Sequence, residues 1–252
     1  MNIEIMTAGF NQPELLHTML ESARKTTSHE LRFRVFLHSL HEGVVRVCEE
    51  QAKRSDVIYH PYGTNRGLAR SWNDGFLDGY AGGADVVMAV NDDIQFSLGD
   101  IDKIAEAAVA HRECFVIFCE EARGLHPVHW SCFVLNPIAL ERVGCFDENF
   151  FPATHEDEDY TLRARGLPAT TARGTMVHHV GAASRNSLEI KAAQDEAERQ
   201  NRAYFVRKWR VVWGGSEGDW FKTPFNDPQF DFRIDSAVRH APYPGYNRPE
   251  VQ

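Results

Sequence analysis

The first ninety residues alternate between two periodicities, and that alternation limits the fold more than anything else in the chain. Short apolar runs ("IEIMTAGF", "LRFRVFLHSL", "DVIYHPY", "ADVVMAV") are separated by stretches whose apolar residues recur every three or four positions ("NQPELLHTMLESARK", "EGVVRVCEEQAKR", "GLARSWNDGFLDGY"). A strand followed by a helix returns the chain to the end of the sheet where it started, so successive strands lie parallel. The expected fold is therefore α/β, with a Rossmann-like, mostly parallel central sheet and helices on both faces. Asn11 is placed to cap the first helix, with Glu14 three residues on completing a capping box.

The second half is less regular. "DIDKIAEAAVAH" and "PIALERVG" read as helices, "CFVIFCE", "SCFVLN" and "TTARGTMVHHV" as strands, and "SLEIKAAQDEAERQNRAYFVRKW" as a long amphipathic helix. Beyond Trp213 the chain is rich in Pro, Gly and aromatics without periodicity. The expected organisation is one domain over 1–213 and an extension over 214–252 that wraps it.

Charge and cysteine usage exclude some classes of function. A formal net charge of −9 repels a nucleic-acid backbone. Five cysteines without a CxxC pair suit a reducing compartment. No apolar run approaches the roughly 20 residues that span a bilayer, and "MNIEIM" lacks the form of a signal peptide. A cytoplasmic location is the expectation.

Four stretches carry candidate chemistry. In "VVMAVNDD" a strand runs straight into Asn91, Asp92 and Asp93, and ligands of open α/β sheets gather at the carboxyl ends of strands. Carboxylates there suit a hard divalent cation; taken alone, the stretch is more simply a polar turn after a strand. "THEDEDYTLRARG" crowds Glu156, Asp157, Glu158 and Asp159 into a helix start of about three turns. The helix dipole and an Asp159–Arg163 pair at i,i+4 explain one or two of these acids better than four. In "MVHHVGAAS", His178 and His179 end a strand and point to opposite faces, so at most one of them faces a site. In "TNRGLARSWNDG", Asn65 and Gly67 precede a helix whose first backbone N–H groups can meet an anion, with Arg66 and Arg70 adding charge. Alternatively, Gly67 is only a turn residue.

Taken in order, "GFNQPELL", "NRGLARSWNDG", "NDD", "VGCFDENFF", "EDEDYTLR" and "HHVGAAS" resemble the family 2 glycosyltransferases of the GT-A fold, over roughly residues 3 to 210. The resemblance implies inverting, metal-dependent transfer of a sugar from a nucleotide-diphosphate sugar donor to a hydroxyl of a carbohydrate, glycan or glycoprotein acceptor. Asp93 would bind Mn²⁺ or Mg²⁺, and Asn91 or Asp92 would sit near the ribose and diphosphate. Asp157 would be the general base, assisted by Glu156, with Asp159 on the substrate side. His178 or His179 would complete the metal site. Ala8, Gly9 and Phe10 would flank the nucleotide base, with Asn65, Gly67 and Arg70 near it, and Trp130 would hold a sugar. The chain departs from the family pattern twice. "LHSLHEG" replaces an acid-rich stretch after the second strand, leaving His38 and Glu42 as substitutes, and Asn91 stands where the motif has an acid.

The alternative is a non-catalytic nucleotide-sugar or carbohydrate-binding protein of the same fold, which would consume no donor. A nucleotidyltransferase would carry a Gly-rich signature with a basic residue after the first strand, and "TAGFNQPE" has none. A metal-dependent hydrolase would run at full rate without an acceptor.

Overall fold

The computed structural model describes residues 1–39, 41–121, 129–181 and 191–209. The chain runs β1 (Ile3–Gly9), α1 (Pro13–Thr26), β2 (Leu31–Leu37), α2 (Glu42–Gln51), β3 (Val57–Pro61), α3 (Leu68–Ala81) and β4 (Val86–Val90). It continues through β5 (Ile94–Gln95), α4 (Asp100–Ala110), β6 (Val116–Glu121), a single 3₁₀ turn (His129–Ser131) and β7 (Cys132–Leu135). Last come α5 (Pro137–Arg142), α6 (Glu156–Arg163), β8 (Ala169–His179) and α7 (Lys191–Trp209). The extension expected over 214–252 lies outside the described residues.

One sheet of eight strands, in the order β3-β2-β1-β4-β7-β6-β8-β5, organises the molecule. The first four neighbours are parallel, as the β-α-β alternation requires. From β7 onward the sheet is mixed, because β7 lies antiparallel to both β4 and β6. The central strands β4 and β7 read as continuous apolar runs because both of their faces are covered. Ile3, Ile5, Phe33, Val35, Met88 and Val90 face one core with α1, α2 and α4, whereas Met6, Phe36, Val87 and Ala89 face a second core with Trp72 and Phe76 of α3. Helix α3 can approach β1 closely because Gly75 has no side chain; a Cβ there would stand 2.0 Å from Met6 Sδ.

Two local expectations need correction, and one short strand was not expected. Asn11 does not cap α1: Pro13 occupies the first turn, which makes Gln12 the N-cap, and Gln12 makes no side-chain capping bond. The acid-led helix α6 has eight residues, not about three turns. Strand β5, two residues long, was too short to leave a periodic signal, yet it pairs Ile94 with His179 and so brings the end of β8 beside β4's exit. Among the described residues no helix is long and apolar enough to cross a membrane, and all five cysteines are free thiols.

Candidate active site

A cavity of about 410 Å³ opens at the carboxyl ends of β1 and β4. Ala8 and Phe10 leave β1 into it, Asn91, Asp92 and Asp93 leave β4, and Glu156 and Asp157 enter from the first turn of α6. His179 reaches it from the end of β8. Asp93 and Asp157 are more than sixty residues apart in sequence but share one cavity wall.

The strand exit is built by register. Asn91 continues β4 by donating its backbone N–H to Ser131 O at 2.8 Å, and Val180 N–H donates to Asp93 O at 3.1 Å. That bond sets His179 Nε2 3.4 Å from Asp93 Oδ1. His178, the preceding residue of the strand, is exposed and does not line the cavity, as period-two alternation demands.

The carboxylates are held in an environment that disfavours charge. Burial, and then the charge of Asp93, pushes the Asp92 carboxyl up to about 8. Glu156 lies well above the ordinary carboxylate range, first through burial and then through the neighbouring Asp157 charge. Asp157 is also raised, chiefly by burial, although the Glu158 backbone N–H donates to its Oδ1 at 2.8 Å and pulls the other way. Asp92 Oδ2 and Glu156 Oε2 are buried and have no hydrogen-bond partner among the described residues. Orphaned carboxylate oxygens at a cavity wall are costly unless a bound group meets them. Among the described residues no group of three His, Cys, Asp or Glu side chains is arranged to hold an ion. Asp93 and His179, 3.4 Å apart, are two side chains that could hold a cation, provided its remaining oxygens came from a bound diphosphate and water.

Several residues expected at the site lie elsewhere. Gly9 faces away from the cavity: a Cβ there would meet Leu16 at 3.0 Å and Val44 at 3.2 Å on the α1–α2 side. Gly67 is a backbone requirement, with φ +84° and a Cβ position 3.0 Å from the Phe151 ring. Its N–H is spent on Asn65 Oδ1 at 2.9 Å, and those of Arg66 and Leu68 go to His38 Nδ1 at 3.1 Å and Pro152 O at 2.7 Å. The turn therefore has no backbone donor to offer an anion at these three positions. Arg70 donates to Asp74 at 2.8 Å and Glu148 at 3.4 Å and does not line the cavity. Trp130 packs against Phe133 and Phe118 and borders a neighbouring cavity. Asp159 is fully buried and accepts from Arg163 Nε at 2.8 Å and Trp209 Nε1 at 2.9 Å. It fastens α6 and does not line this cavity.

Asn65 lines the cavity as expected, and so does His38, though neither His38 nitrogen is turned toward a ligand. Nδ1 lies 3.1 Å from Asn65 Oδ1 and accepts from Arg66, while Nε2 is 2.5 Å from Ser71 Oγ. His38 thus braces the 64–67 turn, and Glu42 is exposed at the start of α2. The sequence reading missed Pro152, Ala153 and Thr154, in the turn just ahead of α6, and Gln194 and Ala197 of α7. "FFPATHED" offered a faint signal for the turn; the α7 residues follow only from how that helix docks.

Solved structures with this architecture include TarS residues 1–349 from S. aureus. It matches at 12% identity and a TM-score of 0.56, over 82% of this chain and 73% of that one. The fold is GT-A-like. TarS has also been solved with UDP and with UDP-GlcNAc. The mannosyltransferase PcManGT from Pyrobaculum calidifontis, in complex with GDP-Man and Mn²⁺, matches at 14% identity and a TM-score of 0.58, over 82% of this chain and 64% of that one. No family model matches the chain, and no curated protein matches it in sequence.

Proposed function

We propose that the chain is an inverting, metal-dependent glycosyltransferase of the family 2 type, moving a sugar from a nucleotide-diphosphate donor to an acceptor hydroxyl. The observation that carries this reading is the convergence of Asp93, His179, Glu156 and Asp157 on one cavity at the carboxyl edge of the sheet. The GT-A-like architecture, shared with proteins solved with UDP-GlcNAc and with GDP-Man and Mn²⁺, supports the donor class.

Asp93 and His179 would hold Mn²⁺ or Mg²⁺, which when bound supplies charge neutralisation for the departing diphosphate. Ala8, Phe10 and Asn65 would border the nucleotide, with Asn91 and Asp92 toward the ribose and diphosphate. Asp157 is the more exposed carboxylate of the α6 pair, and its raised pKa brings its basicity closer to neutral pH, where a base is most effective. It would take the acceptor hydroxyl's proton as the new bond forms. Glu156, buried beside it, is held further toward its neutral form by burial and by the Asp157 charge, which favours Asp157 as the carboxylate that takes the proton. A single displacement needs one base and inverts the anomeric centre, in contrast to the close carboxylate pair of a retaining glycosidase. The five free cysteines support a reducing, cytoplasmic setting.

The test is a thermal-shift screen of nucleotide sugars with Mn²⁺, followed by a nucleotide-release assay with candidate saccharide acceptors. Stabilisation by one donor and acceptor-dependent nucleotide release are expected. Donor binding without any release would make the chain a binding protein, and full-rate release without an acceptor would make it a hydrolase.

A further inference from the structure

Helix α7 presents a stripe of residues at alternating spacings of three and four, Gln194, Ala197, Asn201, Tyr204 and Lys208. Such a stripe is normally apolar, because it is the face a helix buries. Here two of its members are fully buried polar groups, Asn201 at 0% exposure and Lys208 at 1%. The partners of both lie around α6. Asn201 Nδ2 donates to Ala153 O at 2.9 Å and to Thr154 O at 3.3 Å. Lys208 Nζ reaches Asp159 Oδ1 at 2.5 Å and Asp147 Oδ2 at 2.9 Å, where Tyr204 OH also donates at 2.8 Å.

The energetics argue against stability as the purpose of this arrangement. Burying an ammonium costs several kcal/mol before its partners compensate, and apolar replacements of matched volume are often as stable. Directional bonds fix orientation where apolar contacts would tolerate sliding. The segment being fixed needs that. Thr154 and His155 both hold positive-φ backbone, at 91° and 69°, a conformation that non-glycine residues keep only where their surroundings enforce it. Relaxation of either would swing the first turn of α6, which carries Glu156 and Asp157.

We infer that Asn201 and Lys208 are positioning residues: α7 grips the strained 153–155 turn at one end of α6's first turn and Asp159 at the other, and so fixes where Asp157 faces the cavity. Its catalytic consequence rests on the function proposed above; its structural content does not. The Asp159 carboxylate supports the inference, since burial would raise its pKa but the charges of Lys208 and Arg163 overcome that and hold it below the usual range.

The test uses Asn201→Leu, which keeps the volume and removes the donor, with Lys208→Met as a second variant. Amide hydrogen exchange over residues 153–163 should accelerate at least about tenfold in Asn201→Leu, with β1 to β4 unchanged. In the same variant kcat should fall about 10- to 100-fold while donor affinity by calorimetry stays within about twofold, the pattern of a misplaced group rather than a lost binding contact. Unchanged exchange over 153–163, uniform acceleration across the whole chain, or wild-type kcat in the folded variant would each overturn the inference. If the wild-type chain turns over no nucleotide sugar, the proposed function fails, and the exchange arm still decides this one.

Discussion

His38 offers a prediction whose magnitude can be worked from its surroundings. The ring is 3% exposed and engaged at both nitrogens. Burial, opposed by the Asn65 contact and aided by the Arg66 charge, lowers its pKa from 6.5 to about 4. The unfolded chain accepts a proton on this ring near pH 6.5 and the folded chain resists it until about pH 4. Stability is therefore fully present above pH 6.5 and is lost as the pH falls toward 4. At about 1.4 kcal/mol per pH unit the full loss is about 3 kcal/mol, of which about 2 kcal/mol has occurred by pH 5. The raised carboxyl groups of Asp92 and Glu156 give a slope of opposite sign, so the useful quantity is the difference between wild type and His38→Gln, which share those carboxyls. Urea unfolding at pH 8 and pH 5 should show the wild-type advantage over His38→Gln shrinking by about 2 kcal/mol at the lower pH. Parallel pH profiles for the two proteins would mean that His38 is not held neutral by the fold, and the account of the 64–67 turn would be wrong.

Asp157→Asn should lower turnover at least ~100-fold, about 2.7 kcal/mol, with donor binding nearly intact; wild-type-like turnover would remove Asp157 from the mechanism. Asp93→Ala should abolish the metal dependence of donor binding, measured by calorimetry with and without Mn²⁺; unchanged donor affinity would count against the ligand assignment. Gly75→Ala should destabilise the fold by about 1–3 kcal/mol in urea unfolding, because either α3 retreats or the buried Met6 side chain repacks to admit a methyl group. An unchanged midpoint would show that the Met6 side chain yields without cost.

The alternation of short apolar runs with helical periodicity made the parallel half of the sheet legible, since α1 to α3 each bury a face at helical spacing and β1 to β4 are the buried runs between and after them. Strand β5 and the antiparallel insertion of β7 were not legible, because two residues carry no period and a strand's direction leaves no mark on its own composition. Among site candidates, "NDD" and "HEDED" were readable as clusters of charge at element ends, and the structure brings both to one cavity. Arg70, Asp159 and Trp130 look equally functional in sequence, but each is also held by a residue distant in the chain or on another element: Glu148, Lys208 and Phe133.

The chain's local chemistry thus determined which elements form and which of them end in carboxylates, because helix and strand periods and turn residues act over a few positions. Only the tertiary structure turned His179 and not His178 to the cavity, gave Asp93 and Asp157 a common cavity, and made buried Asp159 an anchor for α6. Each of those outcomes depends on contacts between residues tens of positions apart, where strand register and helix docking, not local sequence, set which atoms meet.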